Sequence, residues 1–189
     1  MAAAGEKTIY VVRHGEATHN VDFEFHGEAA YFDTCWLDSV LTEKGEGQAK
    51  QCALPKAVQL LVVSPLRRAQ QTAAMIGNPS SAPLVTLPLI REFPRGHAPN
   101  FWLGEPGGDH WPLGAGTSDT ASLETEDQLA ARLVEVRAWL RARDETVIAL
   151  VSHGALLQRL MGRPADGPFL PHGECVEWTL APQRVVALD

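Results

Sequence analysis

A chain of 189 residues, 45% of them hydrophobic, suffices for one sizeable core and is expected to form a single domain over 1–189. Its formal net charge of −7 works against general affinity for nucleic acid or an anionic membrane, both of which need clustered lysine and arginine, so any positive potential has to be local. Met1 to Glu6 lacks the features of a secretion signal, charged and polar residues break the apolar run at 146–160, and Cys35, Cys52 and Cys175 form neither a disulfide framework nor a zinc motif; the expectation is a cytoplasmic protein without a membrane span.

The first predicted element is a strand over Lys7 to Arg13, whose apolar run Ile9-Tyr10-Val11-Val12 exits into Arg13-His14-Gly15. Leu41 to Ala49 reads as the opening of a helix that Thr42 can cap, although Gly45 and Gly47 lower its intrinsic propensity. A buried strand follows over Gln59 to Val63, then a helix over Pro65 to Ile76, with Gly77-Asn78-Pro79 as its stop signal. Leu84 to Leu87 is a short strand. The Gly- and Pro-rich stretch from Phe93 to Ser122 is expected to cover a site or to carry specificity, as a lid or a specificity loop, with Phe101, Trp102 and Trp111 arguing for packing.

Thr125 to Arg143 is the clearest helix, with an apolar stripe of Leu129, Leu133, Val136 and Leu140 and capping-box spacing between Thr125 and Gln128. Val147 to Val151 is a strand that runs into Ser152-His153-Gly154, and Ala155 to Met161 is the helix behind it. Pro164 to Gly173 reads as loop, and Val176 to Leu180 and Val185 to Leu188 as final strands. Strands alternating with helices predict an α/β fold, a mostly parallel sheet covered on both faces.

Two strands therefore each deliver a histidine and a glycine to the carboxyl edge of the sheet, where open α/β folds place their ligands. A third loop, Ser64-Pro65-Leu66-Arg67-Arg68, enters the same edge beside a helix start, and guanidinium groups there match phosphate oxygens in a forked geometry. Arg13 and one arginine of this loop, with two histidines between them, make a pocket for a dianion. Glu92 could bring a carboxyl group to the same edge, where a bound phosphate would stabilise its proton and suit it to general acid catalysis.

These residues resemble the motifs of the histidine phosphatase superfamily, in its phosphoglycerate mutase-like branch. Arg13-His14-Gly15-Glu16 with Asn20 is similar to the family signature, as are Leu41-Thr42 with Gly45, Gln48 and Ala49. Ser64, Leu66, Arg68, Ala69 and Thr72 resemble the second motif, Glu92 with Gly96 the third, and Ser152-His153-Gly154 the fourth. The resemblance implies a three-layer α/β/α sandwich. It implies that His14 is the nucleophile that becomes phosphohistidine, that Arg13, Arg68, His153 and Gly154 surround the phosphoryl group with Asn20 as a further donor, and that Glu92 is the general acid and base. His153 counts among the catalytic residues on the same basis. Arg68 is chosen over Arg67 by its place before Ala69, which leaves Arg67 as a solvated charge.

No metal or other cofactor is expected, because fixed cations can stabilise the charge that magnesium neutralises in kinases. The expected partner is a small phosphorylated substrate or a phosphopeptide. The alternatives are phosphoglycerate mutase-type phosphoryl transfer and a catalytically inactive binding module on the same fold. Arg91, Arg95 and His97 would favour a second anionic group if they point inward; His19 and His26 are substrate contacts or packing residues, and Trp36, Trp139 and Trp178 are read as packing.

Overall fold

The computed structural model describes residues 5–77, 81–93, 100 and 124–182. Its elements, in chain order, are β1 (Lys7–Arg13), α1 (Thr18–His26), α2 (Glu43–Gln51), β2 (Leu60–Val63), α3 (Arg67–Met75), β3 (Leu84–Thr86), α4 (Glu126–Ala142), β4 (Val147–Ser152), α5 (Gly154–Leu160) and β5 (Cys175–Leu180), with short 3-10 turns at Gly27–Tyr31, Thr34–Trp36 and Pro88–Ile90. The strand order is β3-β2-β4-β1-β5, parallel throughout except for β5, which pairs antiparallel with β1 at the edge.

β2 is buried along its whole length and β4 along all but its first residue, which explains why both read as continuous apolar runs rather than alternating ones. Successive side chains still point to opposite faces and divide the core in two. Ile9, Val11, Leu60, Val62, Ile148 and Leu150 meet Leu129, Leu133, Val136 and Leu140 of α4 and Leu156, Leu157 and Leu160 of α5. Val12, Leu61, Val63, Ala149 and Val151 face Ala69 and Ala73 of α3 and Cys52 at the end of α2. The result is a three-layer α/β/α arrangement. α4 has the predicted capping box, Thr125 Oγ1 accepting from Gln128 N at 3.2 Å and Gln128 Oε1 from Thr125 N at 2.8 Å. Trp139 and Trp178 pack against the first core, as expected.

α1 has no sequence forecast behind it. Its hydrophobics do not form a stripe, and His19 is its one buried residue. It stands because Asn20 Oδ1 accepts the Ala17 N–H at 2.9 Å and because Thr18 N donates to Val40 O at 3.0 Å, tying it to the approach to α2. The forecast strand at 185–188, the stop signal at Asn78-Pro79, and most of the stretch from 93 to 122, including Arg95, Gly96, His97, Phe101, Trp102 and Trp111, lie outside the described residues. Among the described residues no helix is long and apolar enough to cross a membrane.

Candidate active site

β1 and β4 run side by side with Arg13 opposite Ser152, so the residues that follow each strand emerge together at the carboxyl edge. His14 N donates to Ser152 O at 2.9 Å, and the rings of His14 and His153 stand 5.2 Å apart between centroids. The backbone just beyond is held tightly. Gly15 N donates to Thr72 Oγ1 at 3.0 Å, Glu16 N to Gln48 Oε1 at 2.8 Å, and Thr42 N to Glu16 O at 3.0 Å. A Cβ on Gly15 would run into the carbonyl of Gly45, and one on Gly45 would run into the carbonyl of Glu16. The helix-weakening Gly45 is therefore required by close approach, whereas a Cβ on Gly47 would meet open space.

His14 is buried, and its Nδ1 lies 2.7 Å from Gly15 O. A carbonyl only accepts, so the ring proton resides on Nδ1 and the lone pair on Nε2, which accepts from Arg68 Nε at 3.3 Å. Arg68, in the first turn of α3, is 1% exposed and also donates to Asn100 Oδ1 at 2.9 Å. Arg67 is exposed, its backbone N–H taken by Asp38 Oδ1 at 2.8 Å. The structure thus brings Arg68 rather than Arg67 to the site. His153 is fully buried, its Nε2 2.7 Å from Ser64 Oγ, while its Nδ1 has no hydrogen-bond partner among the described residues. Arg13 lies beside Phe169, donates through Nη1 to Leu170 O at 2.8 Å, and likewise keeps a buried Nε without a partner among the described residues.

Glu92 follows the 3-10 turn at Pro88–Ile90, which is anchored from two sides. Ser152 Oγ donates to Ile90 O at 2.7 Å, and the buried Arg132 of α4 donates to Leu89 O at 2.7 Å and to Arg91 O at 2.9 Å. The carboxylate accepts from Phe93 N at 2.9 Å, Leu156 N at 3.0 Å and Ala155 N at 3.3 Å. Glu92 and Gly154 then line one cavity of about 280 Å³ with Arg13, His14, Asn20 and Arg68. A Cβ on Gly154 would sit 3.3 Å from Arg13 Nε and 3.3 Å from the Phe169 ring, so glycine leaves room for both. Asn20 faces this cavity but already donates through Nδ2 to His19 Nε2 at 3.0 Å.

Of the other histidines, His19 lines the cavity and holds Ser39 Oγ at 2.6 Å, whereas His26 is exposed and paired with Asp22 at 2.8 Å. Arg91 is buried away from the cavity, beside Arg132, and burial first and that neighbour second bring its guanidinium down to about 10. It does not serve the anion role considered for it. Trp36 bonds Asp22 through Nε1 at 2.9 Å and is absent from the cavity wall. Sequence reasoning missed Asn100, Tyr31 and His172. The His172 ring lies 5.6 Å from that of His14, and burial and then Arg13 lower it to about 4. It sits in a segment read as plain loop, and Asn100 lies within the Gly- and Pro-rich stretch, where neither position shows periodicity.

Burial is the first cause that pushes His14 and His153 well below the ordinary imidazole value, and Arg68 is the second for both. An unfolded imidazole titrates near ~6.5, so below that pH the unfolded chain binds more protons than the native one. Stability present above this pH is lost as the pH falls toward the depressed native values. Three such groups, His172 included, cost about 4 kcal/mol per pH unit across that window. Urea unfolding at pH 7.5 and 5.5 should show this loss, and His153→Asn should remove about a third of it; a pH-independent midpoint would contradict the buried neutral rings.

A profile of the histidine phosphatase superfamily (branch 1) matches residues 9–172. The chain is 30% identical over 174 residues to the probable phosphoglycerate mutase GpmB of Enterobacter sp. (strain 638), covering 83% of this chain and 76% of that protein. It is 28% identical over 180 residues to the glucosyl-3-phosphoglycerate phosphatase of Mycolicibacterium vanbaalenii, covering 85% and 76%. Among solved structures, the mycobacterial glucosyl-3-phosphoglycerate phosphatase in complex with VO3 superposes with a TM-score of 0.63 at 23% identity, covering 90% of each chain, a likeness of fold.

Proposed function

The chain belongs to branch 1 of the histidine phosphatase superfamily, and on that premise we propose that it hydrolyses phosphomonoesters through a phosphohistidine on His14, with Glu92 moving the protons. The observation that carries this reading is the state of His14: Nδ1–H fixed by the Gly15 carbonyl, and Nε2 free of a proton beside the Arg68 guanidinium. A neutral imidazole so oriented is a nucleophile without further activation.

The phosphoryl group enters between Arg13 and Arg68. Its oxygens supply acceptors for the unpartnered Arg13 Nε and, with the Ser64 hydroxyl donating to His153 Nε2, for an N–H on His153 Nδ1. His14 Nε2 attacks phosphorus in line, and the bond from phosphorus to the ester oxygen breaks as Glu92 protonates that oxygen. The alcohol leaves. Water then attacks the phosphohistidine, Glu92 takes its proton, and the N–P bond breaks to release phosphate and restore His14. Fixed guanidinium and imidazole groups stabilise the charge spread over the phosphoryl oxygens in both steps.

A phosphoenzyme trap tests the sequence of events. Mixing the protein with a 32P-labelled phosphomonoester and quenching in alkaline detergent should leave label on the His14 peptide, stable to base and labile to acid. Turnover without such an adduct would point to direct attack by water. Relatives named as phosphoglycerate mutases keep a second reading in play, in which another hydroxyl replaces water as acceptor. Net transfer from a bisphosphate donor to monophosphoglycerate, without release of phosphate, would favour it.

A further inference from the structure

We propose that Arg159 is a specificity residue that selects phosphomonoesters carrying a second anionic group, a carboxylate or a second phosphate. The inference rests on the phosphatase reading above and names the substrate class of that site. Arg159 lies on α5 four residues after Ala155, so the two share a helix face, and both line the cavity that holds His14 and Glu92. Ala155 N bonds Glu92. Four residues of helix advance the backbone by about 6 Å, which sets the Arg159 position one turn along α5 from the backbone that holds Glu92.

The guanidinium is largely withdrawn from water yet mostly uncommitted. Its side chain is 18% exposed, and its one partner among the described residues is Glu126 Oε1 at 3.3 Å, on a carboxylate 59% exposed. Arg132 offers the contrast. It is 6% exposed and spends its donors on Glu124 and on two backbone carbonyls, at 2.7 and 2.9 Å. A half-buried cation with spare donors in a cavity wall offers a docking point for an anion. Arg13 and Arg68 already answer the charge of the phosphoryl group, which leaves Arg159 to a second one. Phe23 and Phe169, partly exposed, line the same cavity, and Glu28 joins Glu92 as a carboxylate in its wall.

The test compares 3-phosphoglycerate with glycerol 3-phosphate, which differ in a carboxylate against a hydroxymethyl group, and fructose 1,6-bisphosphate with fructose 6-phosphate. The wild-type protein should favour the doubly anionic member of at least one pair in kcat/KM, and the pair that responds tells carboxylate from phosphate. Arg159→Ala should lower that preference about ten- to hundred-fold, the worth of a hydrogen bond to a charged group, mainly through KM. Arg159→Lys should restore part of it, with thermal unfolding confirming that both variants are folded. Hydrolysis of all four esters without preference, or a preference unchanged in both variants, would overturn the inference and assign Arg159 to Glu126 or Glu28. Failure to hydrolyse any of the four or p-nitrophenyl phosphate would instead remove the phosphatase reading.

Discussion

His14→Ala should take phosphomonoester hydrolysis below detection, a loss of at least about four orders of magnitude, the scale seen when a covalent nucleophile is deleted. The reason lies in what surrounds the ring. Arg68, Arg13 and His153 remain after the substitution and can still hold a phosphoryl group, but the atom placed to receive it is gone. Binding should therefore outlast turnover. Phosphate or vanadate affinity, read by protection against thermal unfolding, should fall far less than kcat. Alanine at this site leaves the Gly15 carbonyl and the Arg68 Nε–H each short of a partner, so some loss of stability is expected beside the chemical effect. Full activity in a folded His14→Ala protein would remove the covalent route.

Glu92→Gln should divide substrates by leaving group. Alkyl phosphates depart as poor alkoxides unless protonated, and for them kcat should drop about 10²- to 10⁴-fold, the usual worth of a positioned general acid. p-Nitrophenolate departs without help, and its ester should lose much less in the first step. The amide is a fair isostere: its oxygen can keep the bonds from Phe93 N and Leu156 N, at 2.9 and 3.0 Å, while the nitrogen faces Ala155 N, whose 3.3 Å contact is the longest of the three. Equal losses for alkyl and nitrophenyl esters would mean that Glu92 positions α5 rather than moving a proton.

Much of this arrangement could be read from the chain because it depends on short-range order. β1, β2 and β4 announce themselves as apolar runs, and the residues just beyond a parallel strand have nowhere to go but the carboxyl edge, so Arg13, His14, Ser64 and His153 were placed by strand endings alone. Arg68 was separated from Arg67 by motif position, and the structure buries Arg68 beside His14 while Arg67 stays exposed. Asn100, Tyr31, His172 and Arg159 were out of reach for a common reason. Asn100, Tyr31 and Arg159 reach the cavity wall, and His172 the flank of the His14 ring, through tertiary placement of a turn, a loop or a helix end, and none carries a local pattern that says which way its side chain turns. α1 was missed because its stability comes from the Asn20 cap and from contact with Val40 rather than from an apolar stripe.

The close approach of Gly15 and Glu16 to Gly45 couples two parts of the chain about thirty residues apart in number. A methyl group on Gly15 would have to move Gly45 and one on Gly45 would have to move Glu16, and Thr42, Gln48 and Lys44 of the same region clasp Glu16 directly. For anyone recombining this protein with a relative, residues 13–16 and 41–49 form one inheritance unit: a crossover between them would import a wall cut for a different loop, and the damage would surface as a misplaced nucleophile rather than as a broken helix.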